Sequence, residues 1–144
     1  MTEVDAGLVR RKLAAIARNL EDLATVEGLS LAEYRRERFR QKGTERMLQE
    51  IVEAAVDVNL HLLRARGVGA PPDYYASFVE AGRHGLIAAQ LAEHLAPSAG
   101  LRNRLVHEYD RIEDALVLAA VSEARRSFAE YAVSIEGLLA REGL

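Results

Sequence analysis

The 144-residue sequence contains no cysteine, no tryptophan and only three prolines. The lack of cysteine excludes a disulfide framework, a zinc site built from thiolates and a thiol nucleophile. The longest apolar run, residues 115–121, has seven residues, far fewer than the ~20 that a membrane-spanning helix needs. The first residues also lack the basic and apolar regions of a secretory signal. The sequence therefore predicts a soluble cytoplasmic protein without membrane attachment.

The chain also lacks a large excess of positive or negative charge, because 19 basic and 22 acidic side chains give a net charge of −3. This balance argues against nucleic-acid binding over the whole surface, but it does not exclude a local basic patch. The apolar fraction of 49% is typical of a folded globular protein. The length predicts one domain spanning residues 1–144.

Apolar residues recur at helical spacing through almost the whole chain. The first helix is predicted to end at Gly28. Its buried face steps by 4, 3, 4 and 3 residues through Val9, Leu13, Ile16, Leu20 and Leu23. No convincing period-two alternation lies between turn signals, so we expect no strands. The predicted fold is an all-α, mostly antiparallel bundle of about five to six helices.

Capping patterns and glycines predict where later helices begin and break. Ser30 followed by Glu33 is a capping box, in which each side chain satisfies the backbone N–H of the other residue. Gly43 is expected to interrupt the helix that starts there. Asp110 and Glu113 resemble a second capping box and predict the start of a long last helix.

Three histidines lie near carboxylates, but none has a third candidate ligand at a metal-site spacing. They are expected to be surface or interface histidines. Asp57 lies one turn before His61 and Glu80 one turn before His84, whereas His94 has only the adjacent Glu93, which points elsewhere. Tyr74 and Tyr75, at a predicted helix start, are expected to pack rather than to act chemically. The sequence predicts no metal site and no cofactor.

Six basic residues fall within twelve positions of this acidic chain. They are Arg35, Arg36, Arg38, Arg40, Lys42 and Arg46. One interpretation is a solvated helix face. The other is a patch that follows the phosphates of a nucleic acid without reading its sequence.

The most specific feature is the string Arg-Asn-Arg-Leu-Val-His-Glu-Tyr at residues 102–109. Asn103 and His107 are four residues apart and share a helix face, whereas Arg102 and His107 point roughly 140° apart on a straight helix. Arg102 and His107 can converge if the helix ends near His107 or if a second subunit completes the site. Together with Tyr109, these residues bring a fork of hydrogen-bond donors, an amide, an imidazole and a phenol into one short segment.

This string fits R-x4-H-x-Y, and the sequence resembles the HepT-like branch of the HEPN ribonucleases. The resemblance covers about residues 45–113 and includes the preceding helix, the proline-containing turn and the Tyr-Tyr-Ala-Ser-Phe helix. Leu101 departs mildly from the family, which often has an aromatic residue there.

The resemblance implies a metal-independent endoribonuclease toxin paired with a nucleotidyltransferase antitoxin. It implies that Arg102 and His107 are the catalytic pair and that Asn103 is their polar support. Tyr109 matches the tyrosine that such antitoxins modify with AMP. Family members are typically dimers in which two motifs face each other across a cleft.

The expected substrate is RNA, since its 2′-hydroxyl is the nucleophile, and DNA should resist cleavage. The candidate RNA-binding residues are Arg35, Arg36, Arg38, Arg40 and Arg104. The alternative is a non-catalytic helical subunit that binds a nucleotide or a partner nucleotidyltransferase. A purely structural dimerisation bundle is the third possibility, and it would not need the motif side chains.

Overall fold

The computed structural model describes residues 3–144. In that range it contains seven α-helices and no β-strand. Five helices have ten residues or more, and α2 and α5 are short. The helices are α1 (Ala6–Leu23), α2 (Leu31–Arg35), α3 (Arg38–Ala65), α4 (Tyr74–Arg83), α5 (Ala89–Leu95), α6 (Ser98–His107) and α7 (Asp114–Arg141). The predicted all-α bundle is confirmed.

The bundle is built around its three long helices. Helix α1 packs against α3 and α7, and the shorter α4 and α6 pack against α3. All five apolar residues predicted to form the inner face of α1 are buried. Burial of such side chains is the main favourable term in folding, at about 1.5–3 kcal/mol for each large one.

The predicted break between α1 and α2 is present, but α1 ends at Leu23, five residues before the predicted end at Gly28. Gly28 has a φ of +89°, a left-handed conformation that side chains disfavour and that ends the turn after α1. Two residues later, Ser30 accepts from the Glu33 N–H at 3.1 Å, and the Glu33 carboxylate accepts from the Ser30 N–H at 3.0 Å. These hydrogen bonds hold the pKa of Glu33 below its usual value.

Two other predicted boundaries are wrong. Helix α3 runs through Gly43 without a break, because one helical glycine costs only about 1 kcal/mol and the helix is otherwise well packed. The break falls instead at Glu37, whose backbone is extended. The last helix begins at Asp114, with Glu113 as its extended N-cap, so Asp110 lies in the preceding loop and caps nothing.

A buried polar chain crosses the bundle and reaches the start of α4. The Tyr131 hydroxyl on α7 lies 3.0 Å from the Ala55 carbonyl and also hydrogen bonds the Asn59 side chain on α3. Asn59 donates to Ser77 at 3.4 Å, and Ser77 donates to the Tyr74 carbonyl at 2.8 Å. Burial raises the pKa of Tyr131 well above its usual value. The chain thus ties the first turn of α4 to α3 and α7.

Among residues 3–144, no helix has both the length and the apolar character needed to cross a membrane. The cytoplasmic location stays a prediction.

Candidate active site

Arg102 is held in place by side chains from two other helices. Its Nε and Nη2 atoms lie 2.9 and 2.8 Å from Oε2 of Glu53 on α3. Its Cζ atom lies 4.7 Å from the centre of the Tyr74 ring on α4, which is cation–π distance. The Arg102 side chain is only 19% exposed. A cation this enclosed has few alternative conformations, so the site fixes where its charge lies.

The guanidinium still has donors left for a ligand. Arginine carries five N–H groups. Glu53 accepts two of them, and Oδ1 of Asn103, 3.3 Å from Nη1, accepts a third. The remaining two, one on each terminal nitrogen, have no acceptor among residues 3–144. Two parallel donors of this kind match two oxygens of a phosphate.

His107 and Tyr109 are far less constrained. His107 is the last residue of α6 and is exposed, and the Tyr109 side chain, beyond the helix end, is 63% exposed. Within the part of the chain that the structure describes, no hydrogen bond involves either side chain. Because α6 stays helical through His107, the imidazole and Arg102 keep their angular separation of roughly 140° within one chain.

The structure therefore brings Arg102 and Asn103 together but leaves His107 and Tyr109 apart from them. Tyr109 lies outside the helix, because α6 ends two residues before the tyrosine.

The other histidines have separate partners. His84 pairs with Glu80 at 3.2 Å, as its spacing predicts. His61 accepts from the backbone N–H of Asp5 at 2.9 Å, and His94 pairs with Glu123 on α7. Across residues 3–144, no group of three or more His, Cys, Asp or Glu side chains is placed to hold a metal ion.

The basic stretch divides into paired and unpaired residues. Arg35 bonds Asp114 at 2.9 Å, and Arg40 pairs with Glu37 at 3.2 Å. Lys42 and Arg46 likewise pair with carboxylates on their own helix. Arg36 and Arg38 are exposed and make no salt bridge with the described residues.

Arg104, on the exposed side of α6, lines a surface depression with Glu108 and Arg111. Arg104 lies three residues before His107, so the two residues are within one turn of each other on α6.

Glu53 and Tyr74 are the site residues that sequence reasoning missed. Glu53 stands alone among the apolar residues of 51–56, and an isolated carboxylate in a buried stripe is a signal of a paired charge. Tyr74 was expected to pack, and it does pack, but against the guanidinium of Arg102. Spacing within one helix cannot reveal partners on α3 and α4.

Comparison with known proteins identifies the class to which this fold and motif belong. A family model described as ribonuclease HepT-like matches residues 16–135. The chain is 37% identical over 139 residues to the tRNA nuclease HepT of Aphanizomenon flos-aquae, covering 96% of this chain and 95% of that protein. It therefore belongs to the HepT-like ribonuclease family.

Two further relatives come from Shewanella oneidensis. The mRNA nuclease HepT of that organism is 26% identical over 124 residues, which is 86% of this chain and 92% of the relative. A solved structure of a tri-AMPylated HEPN toxin in complex with an MNT antitoxin superposes with a TM-score of 0.80 at 25% identity. That superposition covers 95% of this chain and 99% of the toxin. The predicted HEPN-type fold and the resemblance to HepT-like proteins are confirmed.

Proposed function

We propose that this protein is an endoribonuclease toxin that cleaves RNA through attack of a 2′-hydroxyl on the adjacent phosphorus. The observation that carries the proposal is the guanidinium of Arg102, which contacts Glu53, Asn103 and Tyr74 and has two donors left over. Membership of a ribonuclease family supports the same reaction class.

The reaction needs proton transfer and a fixed positive charge. A new O2′–P bond forms, the P–O5′ bond breaks, and the products are a 2′,3′-cyclic phosphate and a 5′-hydroxyl. Arg102 stabilises the charge that develops on the non-bridging phosphate oxygens. His107 takes the 2′ proton or protonates the leaving oxygen, the general acid–base role that imidazoles most often have in catalysis. Asn103 holds the guanidinium by accepting from Nη1.

This scheme is metal-independent, because the guanidinium supplies the positive charge and the RNA supplies the nucleophile. DNA resists cleavage because it lacks the 2′-hydroxyl.

A homodimer would complete the site. Arg102 and His107 diverge within one chain, and a second copy facing the first can bring an imidazole to each guanidinium. Two copies also offer one histidine as base and another as acid, which one imidazole cannot be at the same moment. Sedimentation should show a dimer at micromolar concentration, and a stable monomer would contradict this part of the proposal.

The proposed partner that controls the toxin is a nucleotidyltransferase antitoxin. The solved relative bound to an MNT antitoxin is tri-AMPylated. In this chain Tyr109 is the proposed acceptor, because its side chain is 63% exposed beside the motif. Its oxygen would attack the α-phosphate of ATP and release pyrophosphate. The added phosphate would place negative charge next to His107 in the motif, where it would repel the phosphates of RNA.

Tyr109→Phe tests this step. Co-expression with the antitoxin should add AMP to the unsubstituted protein and none at position 109 of the variant. The variant should still cleave RNA and should escape neutralisation. Neutralisation of the unsubstituted protein without any gain in mass would show that complex formation alone inhibits it.

Cleavage itself is tested with purified protein and defined RNAs, with and without EDTA. The proposal expects cleavage in both conditions and none of the matching DNA. Absence of cleavage together with a stable nucleotidyltransferase complex would favour the alternative, a non-catalytic binding subunit.

Phosphate contacts are proposed for Arg35, Arg36, Arg38, Arg40 and Arg104, so RNA affinity should fall as salt rises. Arg35 and Arg40 would have to exchange their carboxylate partners for phosphate.

A further inference from the structure

Phe39 is an exposed aromatic side chain that follows two exposed arginines in the sequence. Its relative exposure is 93%, the highest of any large apolar residue among those described. Arg36 and Arg38 precede it, and neither makes a salt bridge within residues 3–144, although the charge of Arg36 helps to lower the pKa of Glu33. We call these three residues the Phe39 patch.

Folding gives no reason for this arrangement. An exposed Phe39 contributes no burial, and Glu37, the acidic N-cap of α3, pairs with Arg40 rather than with Arg38. A cation at this end of a helix opposes the helix dipole. Side chains that break local rules without a structural gain mark functional positions.

We infer that the Phe39 patch binds single-stranded RNA, with Phe39 stacking on a base while Arg36 and Arg38 contact the flanking phosphates. Aromatic stacking combined with cationic phosphate contacts is how proteins hold single strands without reading their sequence. The cores of protein interfaces are apolar and poor in charge, whereas Phe39 is a single exposed aromatic residue in a stretch rich in arginine. RNA therefore fits the patch better than a protein partner does.

The position of the patch suits an extended substrate. Arg35 bonds Asp114, the first residue after the loop that carries Tyr109, so the patch and that loop lie at the same end of the bundle. Fourteen residues of α3 separate Phe39 from Glu53, the partner of Arg102, which is about 21 Å along the helix axis. A strand of several nucleotides can contact both places, whereas a dinucleotide at Arg102 cannot.

The inference rests on the proposed function in taking RNA as the ligand, and its test separates the two. Binding is measured with a labelled single-stranded RNA of twelve nucleotides on a His107→Ala background, which prevents cleavage. Phe39→Ala should weaken binding about fivefold or more, and Phe39→Trp should preserve it. The matched control is Val133→Ala, which truncates another exposed apolar residue, 73% exposed on α7, and should change nothing.

An abasic strand with the same phosphates distinguishes stacking from general attraction. Phe39→Ala should leave affinity for that strand unchanged, because no base is present to stack. Replacing both Arg36 and Arg38 with glutamine should lower the slope of log affinity against log salt by about 1.4, at about 0.7 for each phosphate contact. The control replaces Arg18 and Arg64, which are exposed and make no salt bridge with the described residues.

Equal RNA affinity of Phe39→Ala and its parent would overturn the inference. So would an equal loss of affinity for the abasic strand, or a loss confined to nucleotidyltransferase binding. Cleavage of a dinucleotide by both forms would then leave the proposed function standing. Conversely, Phe39-dependent RNA binding without cleavage by the unsubstituted protein would remove the proposed function and keep the inference.

Discussion

The two halves of the motif differ in how firmly the fold holds them. Arg102 is ion-paired to α3, lies over a ring of α4 and is 19% exposed. His107, five residues later on the same helix, ends α6 in solvent without a hydrogen bond to the described residues. The fold thus preorganises the charge that is proposed to bind phosphate and leaves the proposed proton-transfer group at an open surface. A charge is useful only where it is fixed, whereas an imidazole must meet substrate or a second subunit.

Substitution of His107, the exposed residue of the motif, should give the largest loss of activity with the smallest loss of stability. His107→Ala should lower kcat by ~10²–10⁴-fold, the usual contribution of general acid–base catalysis. The free energy of unfolding should change by no more than about 0.5 kcal/mol, as for other surface substitutions. Cleavage kinetics and thermal melts check both. An unfolded variant would show that His107 has a structural role, and it would contradict this difference between Arg102 and His107.

Substitution of Arg102, the residue that the fold holds in place, should lower activity nearly as much. Arg102→Lys keeps the charge but loses the planar fork that bonds Glu53 and phosphate together. We expect kcat to fall by ~10²–10³-fold, as when a donor to a developing oxyanion is lost. Full activity of the lysine variant would mean that Arg102 acts only as a general positive charge.

Removal of the support should cost less than removal of the arginine itself. Glu53→Gln weakens the bond to Nε and Nη2, so Arg102 samples more positions. We expect kcat to fall about tenfold, the value of one charge-assisted hydrogen bond, while KM does not rise. Glu53→Asp should recover part of the loss.

Glu50→Gln is the matched control, because Glu50 lies one turn away and pairs with Arg46 instead. Equal effects of the two substitutions would show that Glu53 matters only through the net charge of α3.

The smallest effect is expected at Tyr74. Tyr74→Leu keeps an apolar contact but removes the cation–π interaction with Arg102, worth about 0.5–1 kcal/mol at a partly exposed site. Activity should fall about two- to fivefold. No change in activity would show that Glu53 alone positions the arginine.

Sequence periodicity and capping patterns were sufficient to predict the all-α fold and the boundary at Ser30. They were insufficient at Gly43, where tertiary packing outweighs the weak helix propensity of glycine. They also predict too early a start for the last helix, at Asp110. An aspartate followed three residues later by a glutamate looks the same in the sequence whether or not a helix begins there.

The motif residues were predictable, and their surroundings were not. Arg102 and His107 stand out by their spacing within one helix. Glu53 and Tyr74 lie 49 and 28 positions before Arg102, and only the packing of α6 on α3 and α4 brings them to it. The separation of the basic stretch into paired and unpaired arginines likewise depends on Asp114, a contact between distant parts of the chain.

The chemical identity of the cleavage products shows whether the 2′-hydroxyl of the RNA is the nucleophile, which is the main point of the proposed function. The purified protein is incubated in EDTA with an RNA and with the same RNA carrying one 2′-deoxy nucleotide at the cleavage site, and the products are weighed by mass spectrometry. We expect a 2′,3′-cyclic phosphate and a 5′-hydroxyl from the RNA, and no cleavage at the 2′-deoxy position. Products with a 3′-hydroxyl and a 5′-phosphate, or cleavage at the 2′-deoxy position, would contradict it.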